Sequence, residues 1–186
     1  MGSGSGRRLA SEAQNRVMRL SSGTTRARIL TLDEAAALAD SLRAEGRRVA
    51  FTNGVFDVLH PGHVRYLQRA RTEADALIVA VNSDRSVGAI KGPSRPVMPE
   101  RERAEIVAAL ACVDATVVFD EDTPDRVIRA IQPDVLVKGA DWAADRIVGR
   151  DTVEARGGRV VRAPIEQGYS STAIIERVAR LPRGPR

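Results

Sequence analysis

Cysteine occurs once in this chain of 186 residues, at Cys112. A single thiol excludes an internal disulfide framework and any cluster of thiolates around a metal. Cys112 lies in the apolar run 106–113, where a small buried core residue is expected. Long apolar stretches are missing too. No run approaches the length that spans a bilayer, and the basic, Ser/Gly-rich start lacks the apolar centre of a signal peptide. A cytoplasmic protein with no membrane contact is the expectation. Lysine is nearly absent: of 29 basic residues only Lys91 and Lys138 are lysines, leaving 29 − 2 = 27 arginines. A composition biased so strongly towards Arg directs attention to the two lysines that remain.

The formal charge of +5 invites a nucleic-acid reading that its distribution does not support. Residues 1–30 hold six arginines against Glu12, or 6 − 1 = +5, so residues 31–186 balance at 29 − 6 = 23 basic and 24 − 1 = 23 acidic side chains. A basic tail on a neutral body is not the footprint of a nucleic-acid-binding face. Residues 1–30 read as a flexible basic extension, 31–182 as one domain and 183–186 as a tail. The chain is long enough for one well-buried core and too short for two full domains.

Order begins at Thr31-Leu32-Asp33-Glu34, a capping box that opens an Ala/Leu-rich helix. Short apolar runs then alternate with helical patterns. Strands are expected at 49–53, 76–82, 115–119, 135–138 and 159–163, and helices at 62–71, 99–111, after Thr123-Pro124, at 151–156 and at 171–181. The strands are continuous apolar runs, as in a parallel sheet covered on both faces. The fold class is therefore α/β: one Rossmann-like, doubly wound, parallel five-stranded sheet flanked by helices. In that architecture ligands bind at the carboxyl ends of the strands, which is where the polar motifs fall.

Residues 51–63 run from a strand through Asn53, Gly54, Val55, Phe56 and Asp57 to His60-Pro61-Gly62-His63. A helix start beside a glycine turn offers free backbone N–H groups and a positive dipole end, which suit phosphate. Both histidines of the chain lie here. A second motif, Gly168-Tyr169-Ser170-Ser171-Thr172, puts three hydroxyls at the start of the last helix, where they can act as N-caps or as phosphate ligands. A polar loop over 83–96 carries Lys91, Gly92 and Arg95. The stretch Lys138-Gly139-Ala140-Asp141-Trp142 leaves the fourth strand with the other lysine and the only tryptophan. Trp142 could serve as a lid or as a partly buried anchor.

Asn53-Gly-x-Phe-Asp-x-x-His60-x-Gly-His63 resembles the first motif of the HxGH nucleotidyltransferase superfamily, and Gly168-x-Ser170-Ser171-Thr172 resembles its second. The resemblance covers about residues 31 to 180. It implies in-line attack on the α-phosphorus of a nucleoside triphosphate, with His60, His63 and Lys91 catalytic. It implies nucleotide and phosphate binding by Asn53, Gly54, Val55, Phe56, Gly62, Lys138, Gly139, Asp141, Ser170, Ser171 and Thr172. Asn-Ser-Asp-x-Ser-Val, Lys91-Gly-Pro-x-Arg95-Pro and Lys138-Gly-x-Asp141 resemble a narrower group, the D-glycero-β-D-manno-heptose 1-phosphate adenylyltransferases. That group often has threonine where this chain has Ser171, which keeps the hydroxyl. The substrates implied are ATP and heptose 1-phosphate, with Asp57, Arg95, Arg103 and Trp142 on the acceptor side. Mg²⁺ would arrive with the triphosphate rather than in a protein cage. A homodimer is implied, and so is a separate heptose kinase upstream, because bifunctional relatives carry a kinase domain that this chain lacks. The nearest alternative is the same chemistry with CTP and glycerol 3-phosphate or another small phosphorylated acceptor.

Overall fold

The computed structural model describes residues 28–140, 143, 146–164 and 166–182. The expected extension up to residue 27, the tail at 183–186, and the candidates Asp141 and Trp142 lie outside the described residues. In chain order the elements are β1 (Ile29–Leu30), α1 (Leu32–Ala44), β2 (Val49–Gly54), α2 (Pro61–Thr72), β3 (Ala76–Asn82), α3 (Asp84–Lys91), α4 (Glu100–Ala108), β4 (Ala115–Phe119), α5 (Asp125–Ile131), β5 (Val135–Gly139), α6 (Arg150–Glu154), β6 (Arg159–Ala163) and α7 (Ser171–Ala179).

The strands form one sheet in the order β1-β4-β3-β2-β5-β6, every pairing parallel. Neighbouring residues on a strand point to opposite faces, and two apolar cores result. Phe51, Ile78 and Leu136 pack with residues of α1, α5 and α6 on one face. Ala50, Leu77, Val79 and Val137 pack with Leu67 of α2 and Val107 of α4 on the other. Every residue of β3 is buried, which explains why the central strands read as unbroken apolar runs. From β2 the chain winds one way to β3 and β4, and the β5–β6 pair lies on the other side of β2. The strand order therefore reverses between β2 and β5, and a crevice opens there at the carboxyl edge.

Two elements differ from the sequence-based expectation. The sheet has six strands, not five, because Ile29 and Leu30 pair with Thr116 and Val117 of β4. Domain structure thus begins before Thr31. A two-residue strand carries no readable period. It is held by burial of Leu30 and by Arg28, whose Nη1 donates to the carbonyls of Ala108 at 3.4 Å and Val113 at 3.3 Å. The second difference is α3, in a stretch expected to be loop. Ser83 Oγ accepts from Ser86 N at 3.0 Å, Asp84 sits in the first turn and Val87 is buried, so capping and one anchor suffice for two turns. The Thr31/Glu34 capping box forms in full.

At the bottom of β6 a methyl group on Gly158 would lie 2.8 Å from the Asp134 carbonyl and 2.7 Å from Val153 Cγ1. Gly158→Ala should therefore destabilise the domain by about 1–3 kcal/mol while leaving the distant cleft intact. Thermal melting with turnover per folded molecule checks this; an unchanged melting temperature would contradict it.

Candidate active site

The turn from β2 into α2 is built from unusual backbone. Phe56 and Val58 have φ of 49° and 52°, a region that costs a β-branched residue on the order of 1–3 kcal/mol. Neighbours hold it there. The Val55 carbonyl accepts Arg103 Nη1 at 2.6 Å, and the Val58 carbonyl accepts Ser171 Oγ at 3.3 Å. The turn delivers His60 to the N-cap of α2, where its Nδ1 accepts the His63 amide at 3.4 Å. A nitrogen that accepts cannot carry the proton, so neutral His60 holds its N–H on Nε2. The two imidazoles stack 3.8 Å apart at 14°, and the Phe56 ring meets His63 edge-on at 5.4 Å. Between them Gly62 is closely framed: a Cβ would lie 3.0 Å from Tyr169 Cβ and 3.1 Å from His60 Nδ1, so those side chains would have to give by a few tenths of an ångström.

That approach joins the turn to the start of α7. Ser170 caps α7 by accepting from Ala173 N at 3.3 Å, and Tyr169 extends the ring stack with its centroid 6.0 Å from His60. Arg65 lies 5.3 Å from the Tyr169 centroid and pairs with Glu166 at 3.1 Å. His60, Gly62, Ser170, Ser171 and Thr172 line a cavity of about 370 Å³. Asn53, Gly54, Val55, Phe56, Lys138 and Gly139 line a second of about 600 Å³. The two share His63, Tyr66, Lys91 and Ser171, so they form one continuous cleft at the carboxyl edge of the sheet.

Three candidates occupy other places than expected. Lys91 projects from the last turn of α3 rather than from a loop. Asp57 does reach the cleft wall, but its carboxylate is committed inward: it accepts Arg95 Nε at 2.7 Å and the amides of Val97 and Met98 at 3.0 and 3.1 Å. Arg103 lies behind the cleft wall. It is 0% exposed and bonds the carbonyls of Met98 and Val55 and the Asp84 carboxylate, so it braces the cleft from behind. Tyr66, Tyr169 and Asn82 line the cleft without having been singled out. Tyr66 could have been found, since it lies three residues after His63 on the same helix face.

The charges of the cleft are held back by burial. Desolvation, then the nearby His60 and Lys91 charges, lower the His63 pKa to about 4. Burial also lowers His60, and burial followed by Arg95 lowers Lys91. Burial alone takes Lys138 down to about 8. Burial works to raise Asp57, but the Val97 and Met98 amides and Arg95 outweigh it and hold the carboxyl low. Among the described residues no three His, Cys, Asp or Glu side chains gather as a metal cage. Hydrogen-bond donors, a helix start and suppressed cations facing one space make a receptor for a polyanion.

Fold and cleft define the class: a Rossmann-like nucleotidyltransferase domain. The cytidylyltransferase-like profile matches residues 51–177, and the chain belongs to that family. It is 53% identical over 152 residues to the bifunctional protein HldE of Geotalea uraniireducens, covering 82% of this chain and 31% of that one. With HldE of Syntrophotalea carbinolica the identity is 54% over 136 residues, covering 73% and 28%. The chain thus spans about a third of the length of the relatives it matches. Among solved structures, the lipopolysaccharide core biosynthesis protein from Thermoplasma volcanium aligns at 27% identity and TM-score 0.55, over 67% of this chain and all of that one. Pantoate-beta-alanine ligase from Francisella tularensis, complexed with beta-gamma ATP and beta-alanine, shares the fold at 13% identity and TM-score 0.52, over 79% and 76%.

The low His63 pKa has a direct consequence. The free chain takes up a proton below about pH 6.5 that the folded protein resists until about pH 4. Stability therefore falls as pH drops through that window, and His63→Gln should flatten this part of the profile. In NMR titration the His63 ring should show a midpoint near 4, moving upward when a bound polyanion such as pyrophosphate brings negative charge. A midpoint near 6.5 in the free protein would contradict the burial argument.

Proposed function

We propose that this domain transfers AMP from ATP to D-glycero-D-manno-heptose 1-phosphate, giving ADP-heptose and pyrophosphate. An oxygen of the acceptor phosphate attacks the α-phosphorus in line, and the bond from that phosphorus to the bridging oxygen of the β-phosphate breaks. The acceptor phosphate is already ionised, so the attack needs no protein base. His60 and His63 donate N–H groups to the phosphate oxygens as charge builds, a task in which placement and electrostatics outweigh covalent chemistry. Ser170, Ser171, Thr172 and the α7 N-terminus hold the β- and γ-phosphates, and Lys91 closes on them from the end of α3. Asn53 to Phe56, Gly62, Lys138, Gly139 and Asp141 border the nucleotide. Asp57, Arg95 and Trp142 serve the acceptor side in this reading, Asp57 by holding Arg95. Mg²⁺ enters as part of the triphosphate substrate, a hard cation that keeps phosphate and water ligands.

The observation that carries the reading is the meeting of both imidazoles and the hydroxyl-bearing start of α7 in one cleft. The heptose acceptor draws support from Lys91-Gly92-Pro93-x-Arg95-Pro96 and Lys138-Gly139-x-Asp141, and from identity of about half to HldE proteins across this region. A separate kinase would supply the sugar phosphate, and the cytoplasm is the setting for such a biosynthetic step. Among the described residues no helix is long and apolar enough to cross a membrane.

The wild-type chain, mixed in turn with ATP or CTP and with heptose 1-phosphate or glycerol 3-phosphate, should release pyrophosphate fastest with ATP and the heptose. His63→Ala should still fold and bind ATP but turn over at least about 10²-fold more slowly. Near-normal turnover in that variant would defeat the mechanism. We further propose a homodimer through α7, on which Val178 is 59% and the following Leu181 62% exposed. Sedimentation should show a dimer that Val178→Glu with Leu181→Glu turns into a monomer. A monomeric wild-type chain at micromolar concentration would refute it.

A further inference from the structure

Lys138 stands at the carboxyl end of β5, in the crevice where the strand order reverses. It is 8% exposed, and its Nζ donates to Asn53 Oδ1 at the end of β2. The backbone pairing between these strands runs from Ala50↔Val135 to Phe51↔Leu136; beyond it side chains span the gap. Tyr66 from α2 donates to the Val137 carbonyl at 3.2 Å and meets Thr52 Oγ1 at 2.7 Å, bracing both strands one residue below the Lys138–Asn53 contact. The pair therefore rests on a stiff floor, and both members line the larger part of the cleft.

An ammonium donates hydrogen bonds and accepts none. Facing Lys138, Asn53 must present its oxygen, which turns the Nδ2 hydrogens the other way. We propose that Lys138 is a positioning residue of the nucleotide site: it locks the Asn53 carboxamide so that Nδ2 donates to an anionic part of the nucleotide, and the two side chains work as one unit. This rests on the nucleotidyl-transfer reading and adds to it how the switch-point crevice is set for binding.

The charge state of Lys138 decides whether the lock holds. A neutral amine can accept as well as donate, so it no longer dictates which end of the amide faces it. Burial lowers this lysine to about 8, which puts loss of the lock in an accessible range. The other ionisable groups facing the same cavity are Asp57, His63, Tyr66, Lys91 and Asp122. Asp57 is committed to Arg95, and Arg162, in register with Lys138 on β6, donates to the Ala140 carbonyl at 2.6 Å. Lys91 is unchanged in the variants below, so differences among them report on Lys138.

Binding of Mg·ATP to the full chain, measured by calorimetry from pH 6.5 to 9.5 with no acceptor present, tests the pair. At pH 7, Lys138→Met and Asn53→Ala should each weaken binding by about tenfold or more, and the double variant should be no weaker than the weaker single one. Wild-type affinity should fall as pH rises through about 8. That step should be smaller in Lys138→Arg, whose guanidinium neither titrates nor accepts, and in Asn53→Ala, which has nothing to lock; what remains reports loss of charge at Lys91 and, in Asn53→Ala, at Lys138. Lys138→Met should melt no lower than wild type, because it removes a buried charge. Additive losses in the double variant, or an alkaline step in Asn53→Ala as large as in wild type, would overturn the inference, the second even if Lys138→Met failed to fold. A wild-type chain that binds no Mg·ATP would overturn the nucleotidyl-transfer reading and this inference together.

Discussion

The site depends on one close approach. Tyr169 rests against the α-carbon of Gly62 in a space where a Cβ would lie 3.0 Å from the tyrosine, and two segments far apart in the chain become one wall. On one side His60 caps α2 and stacks on His63. On the other, Ser170 caps α7 and Ser171 ties it to the Val58 carbonyl. The small residue at Gly62 lets the two helix starts come close enough for their N–H groups to converge on a single polyanion.

Around that junction the electrostatics follow one rule. His63, Lys91 and Lys138 are each pushed towards their neutral forms by burial, and few carboxylates offset this, since Asp57 is bonded to Arg95 and two amides. Such a cleft is unsatisfied until negative charge enters. A polyanion bound there would favour the charged state of the cations, so binding and proton uptake would be coupled. The strained turn at Phe56 and Val58 fits the same picture: backbone strain is retained where packing over-determines it and where it aims functional groups.

Asp57, Arg95 and Arg103 show how charged residues in a polar motif can build the framework of a cleft. Arg103 bridges the Met98 and Val55 carbonyls and Asp84, and thereby supports the turn that carries His60. Asp57 folds the 95–98 segment back on itself, leaving Arg95 with 9% side-chain exposure and its Nη1 3.4 Å from Thr172 Oγ1. These side chains brace the loops, and the cleft inherits its shape from them.

Much of this was legible in the residues alone. Unbroken apolar runs such as 76–81 announce a strand buried on both faces, because water is absent from either side. Thr31 and Glu34 announce a helix start, and His60-Pro61-Gly62-His63 with Ser170-Ser171-Thr172 announce two phosphate-suited helix entrances, since capping and dipole effects act within a turn. What only the tertiary structure decided were properties that arise from distant partners. Ile29 and Leu30 become a strand through β4, and Arg103 is sealed by groups on three other segments. Lys138 meets Asn53 only because the sheet reverses its order between β2 and β5. Local chemistry is written in neighbouring residues, whereas burial, strand order and the partner of a charged side chain depend on where the rest of the chain comes to lie.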